Sequence, residues 1–323
     1  MEKEITNNSK IGECSVLEIK EKQAFPFIKE ASINNTNLND WIFNNKQEFD
    51  NKLCEHGAIL FRGFNINTVA KFEKISKLFD TDSLEYAFRS SPRFSVGKNV
   101  YTSTSYPKDF SINMHSEASY MPNGHPGYII FCCINPATER GETPIADNRL
   151  VLSFLSKETK TKFLEKGVRY IRNLNKNIGL SWQEVFQSND KNHVESECDR
   201  TGIDYRWKSE EDLELTWVKK AIWEHPKTKQ LSWFNHASFF NKFTLEKDYY
   251  GSVKNEDQLP NNTFYGDGTE ITKEEIEEII NAYKKSTIEF PWKKGDVLFL
   301  DNMLCSHGRN PYEGNRKIVT SLF

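Results

Sequence analysis

The sequence predicts a mainly β protein with helices outside the sheets (α+β), a β sandwich or barrel with helical decoration. Three observations point there. Apolar runs of strand length recur, at Ala58-Ile59-Leu60-Phe61, Tyr128-Ile129-Ile130-Phe131-Cys132-Cys133-Ile134 and Val297-Leu298-Phe299-Leu300. Gly and Pro bound them, at Gly57, Gly63, Pro136 and Gly295. Helical periodicity is strongest between the runs, at 68–79 and 271–285.

From the N-terminus, Ser15-Val16-Leu17-Glu18-Ile19 is a candidate first strand. Asn39 and Asp40 predict the cap of a single helix through Trp41, Ile42 and Phe43 toward Leu53. His56, beside the stop at Gly57, reads as a capping or surface residue rather than a ligand. The 68–79 segment is amphipathic, with Val69, Phe72, Ile75 and Leu78 on one stripe. Residues 87–114 are rich in Ser, Thr and Tyr and broken at Pro92 and Pro107, which predicts a functional loop and a short strand. Beyond the 128–134 strand, the Gly141-Glu142-Thr143-Pro144 turn leads into a strand at Ile145-Ala146-Asp147 and a helix from Asn148.

Residues 157–227 are polar and read as helical to irregular, anchored by Trp182, Phe186, Trp207 and Trp217. No low-complexity linker flanks them, so they are expected to be an insertion in one domain spanning 1–323. Strand character returns at 230–236. The 271–285 helix carries acidic residues early and Lys late, as its dipole favours. Strands at 297–301, 303–308 and 316–323 close the chain.

Composition narrows the function classes. The chain has 323 residues, 13% of them aromatic, enough to build a large core. A net charge of −3 offers no basic field for nucleic acid or an anionic membrane. The polar start of the chain is neither a secretory signal nor a membrane span, so a cytoplasmic protein is expected. Cys14, Cys54, Cys132, Cys133, Cys198 and Cys305 lack C-x-x-C spacing, which argues against a zinc knuckle or a disulfide framework.

One stretch carries chemistry. In Asn113-Met114-His115-Ser116-Glu117, the imidazole and the carboxylate are two positions apart, which on an extended strand points both to one face. Alone, such a triplet is more often a solvated strand face than a metal site. A second imidazole, for which His307 is the candidate, would make two His and one carboxylate, the set used by non-haem Fe(II) oxygenases. Asn235 and His236 read as satisfying backbone groups at a strand end.

From about Gly57 onward the chain resembles the Fe(II)/2-oxoglutarate-dependent dioxygenases of the taurine dioxygenase and clavaminate synthase type. The resemblance is carried by His115-x-Glu117, Gly141-Glu142-Thr143-Pro144, Trp233-Phe234-Asn235, Asp301-Asn302, His307-Gly308-Arg309 and Arg316-Lys317, in that order. It implies a double-stranded β-helix (jelly roll) holding Fe(II) through His115, Glu117 and His307. It also implies 2-oxoglutarate as co-substrate, its distal carboxylate on Arg316 with help from Thr143. Lys317 takes that role if register turns it inward. Arg309 reads either as a surface salt-bridge residue or as a pocket residue, and Arg93, Ser103 and Thr104 are candidates to face substrate. Glu117 occupies the position that a halogenase would vacate for halide.

The activity so implied consumes O2 and 2-oxoglutarate and releases succinate and CO2. A small molecule is oxidised, an amino acid or natural-product intermediate, free or carrier-bound. Hydroxylation is the default outcome, with desaturation or cyclisation as variants. The rival readings are a zinc-dependent hydrolase, since two His and a Glu also suit Zn²⁺, and a non-catalytic jelly-roll binding protein.

Overall fold

Both faces of the apolar run at 128–134 are buried, which is why it lacks polar alternation. It forms the strand Tyr128–Asn135, central in a seven-stranded sheet. The order across that sheet is Phe27–Glu30, Ala58–Arg62, Val297–Asp301, Tyr128–Asn135, Lys317–Leu322, Val100–Thr102, Ser95–Gly97. All its pairings are antiparallel except the first. The computed structural model describes residues 25–31, 36–79, 95–97, 100–102, 106–177, 179–245 and 255–323. The strand expected at 15–19 lies outside them.

Alternation along these strands sorts side chains into two cores. Ile59, Phe61, Ile130, Cys132, Val297, Phe299 and Val319 pack under the helices Leu38–Asn44, Lys46–His56 and Val69–Ser76 through Ile42, Phe49, Leu53, Phe72 and Ile75. Their neighbours Leu60, Ile129, Phe131, Cys133, Leu298, Leu300 and Ile318 share a cluster with Ile145, Leu304 and Cys305. Those partners belong to, or adjoin, an antiparallel four-stranded sheet ordered Thr287–Ile288, Ile145–Asp147, Cys305–Arg309, Ile112–His115. Each fully buried Leu, Ile or Phe contributes about 1.5–3 kcal/mol, so this double-sided burial holds the sheet between its two layers.

Two expectations are corrected here. The single helix at 39–53 is two helices: Asn37 caps the first through the Asn39 N–H, and the chain breaks at Asn45 before Lys46–His56. Gly57, at φ +74°, ends the second in a left-handed conformation that a Cβ would disfavour. Residues 157–227 are not merely helical to irregular. Val168–Leu174, Leu213–Lys219 and Asp204–Trp207 join Asn261–Tyr265 in a second four-stranded antiparallel sheet.

That sheet packs with the helices Asn148–Phe154 and Lys273–Ser286 into a third cluster, including Tyr170, Leu215, Trp217, Val151, Ile276 and Ile279. The latter helix starts with a reciprocal capping box between Thr272 and Glu275. Among the described residues, no helix is long and apolar enough to cross a membrane.

Candidate active site

His115 ends the strand Ile112–His115 and lies directly across from His307 in Cys305–Arg309. Their rings stand 4.4 Å apart, centroid to centroid, inclined at 51°. The His115 Nδ1 is 2.8 Å from the Asn113 carbonyl, which can only accept, so that nitrogen carries the proton and the lone pair sits on Nε2.

Glu117 is not on the strand. The chain leaves it after His115 and turns through Ala118, whose φ is +53°, so the carboxylate reaches the imidazoles from a turn and not by pleat alternation. One ligand atom each from His115, Glu117 and His307 lie within 4.8 Å of one another, the one such group found among the described residues. Two imidazole nitrogens and one carboxylate oxygen this close fit a single divalent ion with open positions.

The supports of this set were not foreseen. Asn302, fully buried, accepts from the Glu117 N–H at 2.8 Å and donates to the Glu117 carbonyl at 2.8 Å and the Pro126 carbonyl at 2.8 Å. Asp301 accepts from the N–H groups of Met303 and Leu304 and stands 3.0 Å from His225. Ser116 and Ser306, beside the ligands in sequence, are bridged by Asn148. The one signal for the first two was the Asp301-Asn302 turn, a dipeptide that loops supply for many reasons.

The three residues line a cavity of about 600 Å³ that also contains Thr143 and Arg316. Arg316 donates to the Gly141 carbonyl at 2.8 Å and to the Thr143 hydroxyl at 3.2 Å. Burial, then the charge of Arg309, pushes its guanidinium down to about 10, still protonated at neutral pH. Lys317 is exposed and does not line the cavity.

Arg309 is buried rather than at the surface. It donates to the carbonyls of Tyr106, Pro107 and Phe110, so the guanidinium pins the 106–110 loop over the cavity. Arg93, Ser103 and Thr104 lie outside the described residues. Asn235 satisfies the Ala221 carbonyl and the Ala237 N–H, as expected.

His236 does more: it lines the cavity, lies 2.6 Å from the Ser119 hydroxyl, and is held well below the usual histidine range by burial and the nearby His115. Phe239, Phe240, Tyr120, Tyr106 and Phe110 supply an aromatic wall. His56 stacks on Phe27, away from this site.

Gly308 marks the closest approach of backbone here. A Cβ at this position would meet the Ile112 carbonyl oxygen at 2.7 Å, Met114 Sδ at 3.2 Å and Pro144 Cγ at 3.3 Å. Gly308→Ala is therefore expected to cost about 1–3 kcal/mol by spreading the strands that carry His115 and His307. Urea denaturation checks the loss; an unchanged midpoint would mean that the strands yield freely.

The model of the taurine catabolism dioxygenase TauD, TfdA family matches residues 21–322. The dapdiamide synthesis protein DdaC of Enterobacter agglomerans is 40% identical over 276 residues, 84% of each chain. A clavaminate synthase-like protein of Arabidopsis thaliana is 27% identical over 287 residues, 86% of this chain and 84% of the relative. Among solved structures, PvcB, described as an Fe, alpha-ketoglutarate dependent oxygenase from an isonitrile synthetic pathway, aligns with a TM-score of 0.54 at 10% identity, covering 94% of this chain and 88% of that one. AAD-2 in complex with Mn(II) and N-oxalylglycine aligns at 0.52 and 13% identity, covering 93% and 95%. At such identities these structures speak to the fold alone.

Proposed function

Because the chain belongs to the taurine catabolism dioxygenase TauD, TfdA family, we propose that His115, Glu117 and His307 hold Fe(II), and that Arg316 with Thr143 holds 2-oxoglutarate, for the oxidation of an amino acid or natural-product intermediate. The observation that carries this reading is the convergence of the three ligand residues and the Arg316–Thr143 pair on one cavity. Membership of a dioxygenase family leaves the zinc hydrolase and the non-catalytic binding protein without support.

Fe(II) with 2-oxoglutarate and O2 supplies the oxidising power, the co-substrate leaving as succinate and CO2. The protein's part is positioning and exclusion of water. The Asn113 carbonyl fixes the His115 tautomer, and Asn302 clamps both backbone polar groups of Glu117. The Thr143 hydroxyl accepts from both Trp292 Nε1, at 3.1 Å, and Arg316, which turns its own O–H outward to donate to a guest carboxylate. Phe239, Phe240 and Tyr120 shield the reacting region, and Arg309 fixes the loop at its rim.

The substrate is a small molecule, free or carrier-bound, and hydroxylation is the default outcome, with desaturation or cyclisation as variants. The name of the DdaC relative, which places it in dapdiamide synthesis, supports an amino-acid-derived compound. We read the two sheets that share the Leu60–Ile145 cluster as a jelly roll in a single unit spanning the chain, working in the cytoplasm.

Anaerobic addition of Fe(II) and then 2-oxoglutarate to the metal-free protein tests the reading. A weak visible charge-transfer band is expected only when both are present. Folded protein that binds Fe(II) but never develops the band would sink the co-substrate assignment.

A further inference from the structure

The strand Leu213–Lys219 turns Leu213, Leu215, Trp217 and Lys219 inward. The fourth breaks the apolar pattern that this period-2 face requires. Lys219 is 9% exposed, and its ammonium donates to the Met121 carbonyl at 2.6 Å. The Trp223 ring lies 5.4 Å from it, and no carboxylate among the described residues offsets its desolvation, so burial pushes it down to about 8. A buried ammonium held by one neutral carbonyl is costly, and an apolar side chain of similar length would pack there at lower cost.

The carbonyl it holds belongs to the turn that starts at Glu117. Met121 closes that turn by donating to the Ala118 carbonyl at 3.0 Å. Two residues back along the strand, the Trp217 indole donates to the Tyr120 carbonyl at 2.7 Å. Trp217 stacks on Tyr170, its cross-strand partner, with centroids 5.4 Å apart. The Tyr170 hydroxyl accepts from the His236 N–H at 3.0 Å, and the His236 imidazole meets Ser119. Ser119, Tyr120 and Met121 are thus each tied, directly or through His236, to the sheet formed largely by residues 157–227.

We propose that Lys219 and Trp217 are positioning residues: by holding the carbonyls of Met121 and Tyr120 they fix the turn that delivers Glu117 to His115 and His307, so the inserted sheet sets the affinity of the site for its metal. Neither side chain lines the cavity, so the effect runs through the backbone of residues 117–121. The inference rests on the reading of His115, Glu117 and His307 as metal ligands.

The test is titration of the metal-free full-length protein with Co(II) alone, read by its d–d absorption, for the wild type, Lys219→Met and Trp217→Phe. Both variants lose the donor; Lys219→Met keeps a side chain of similar length, and Trp217→Phe keeps an aromatic ring on Tyr170 with less volume. Each is expected to bind Co(II) roughly ten-fold more weakly, the lower end of what lost support of metal ligands costs. The thermal midpoint of Lys219→Met should match or exceed the wild type, and that of Trp217→Phe should fall by a few degrees while the protein stays folded at the titration temperature. Amide exchange across 117–121 in the metal-free variants should also accelerate.

Wild-type Co(II) affinity and spectrum in both folded variants would overturn the inference and leave the metal site intact. Weakened binding that only tracks a loss of folded protein in both variants would overturn it too, since the contacts would then be merely structural. A wild type that binds no Co(II) would instead overturn the ligand assignment itself.

Discussion

His307→Ala is expected to cripple iron binding and turnover while the fold stays in place. The reason is geometric: His307 and His115 face each other across one strand pair, Glu117 reaches both from the adjoining turn, and no fourth His, Cys, Asp or Glu among the described residues belongs to the group. Removing a ligand should weaken Fe(II) binding by more than the roughly 100-fold that loss of a supporting group can cost. His115→Ala should behave alike, and Glu117→Gly should lose oxidation of substrate.

The fold survives because backbone pairing of Cys305–Arg309 with Ile145–Asp147 and Ile112–His115 does not use the imidazole. The packing lost is the contact of the His307 ring with Phe131, at 5.1 Å between centroids, and with His115, at 4.4 Å. Iron content after anaerobic loading and desalting, with circular dichroism on the same sample, checks both halves. Normal iron stoichiometry in either His variant would remove that residue from the ligand set.

The parts of the fold legible in the sequence are those where one physical rule acts alone. The 128–134 and 297–300 runs are apolar at every position because alternate residues feed different cores, and such runs read as strands whatever surrounds them. The helix Lys273–Ser286 announces itself through Thr272, Glu275 and its inward Ile stripe. The inserted sheet is harder to read because polar residues occupy its inward positions. Lys219 ends the buried face of Leu213–Lys219, and Arg172 and Asn173 are buried in Val168–Leu174, so period 2 is blurred where function or polar pairing overrides it.

The candidate site divides in the same way. His115, Glu117 and His307 are visible as residue types, but the pleat argument for the first two is replaced by a turn at Ala118, whose positive φ nothing local dictates. Asn302, Asn148 and His236 act through contacts with residues more than thirty positions away, which spacing cannot reveal. The choice between Arg316 and Lys317 hung on strand register, and register depends on a shift between Lys317 and Ile318 where that strand pairs with Tyr128–Asn135.

Arg316→Ala should raise the 2-oxoglutarate requirement by on the order of 10- to 100-fold, the equivalent of one to two charge-assisted hydrogen bonds. The guanidinium is buried in the wall of the cavity, bonded to the Gly141 carbonyl and the Thr143 hydroxyl, and burial holds it below its ordinary value. A group so placed gains from an incoming carboxylate what it lost in leaving water, and the free enzyme bears that cost until the co-substrate arrives.

Arg316→Lys should recover only part of the affinity, because an ammonium lacks the fork that matches both carboxylate oxygens. Thr143→Val should cost less than Arg316→Ala, since it removes one hydroxyl donor and leaves the charge. Lys317→Ala should change nothing, its side chain being exposed. Michaelis constants for 2-oxoglutarate, measured by succinate release at saturating Fe(II), separate these cases. An Arg316→Ala enzyme with an unchanged requirement, or a Lys317→Ala enzyme with a raised one, would move the carboxylate to Lys317 and reverse the assignment.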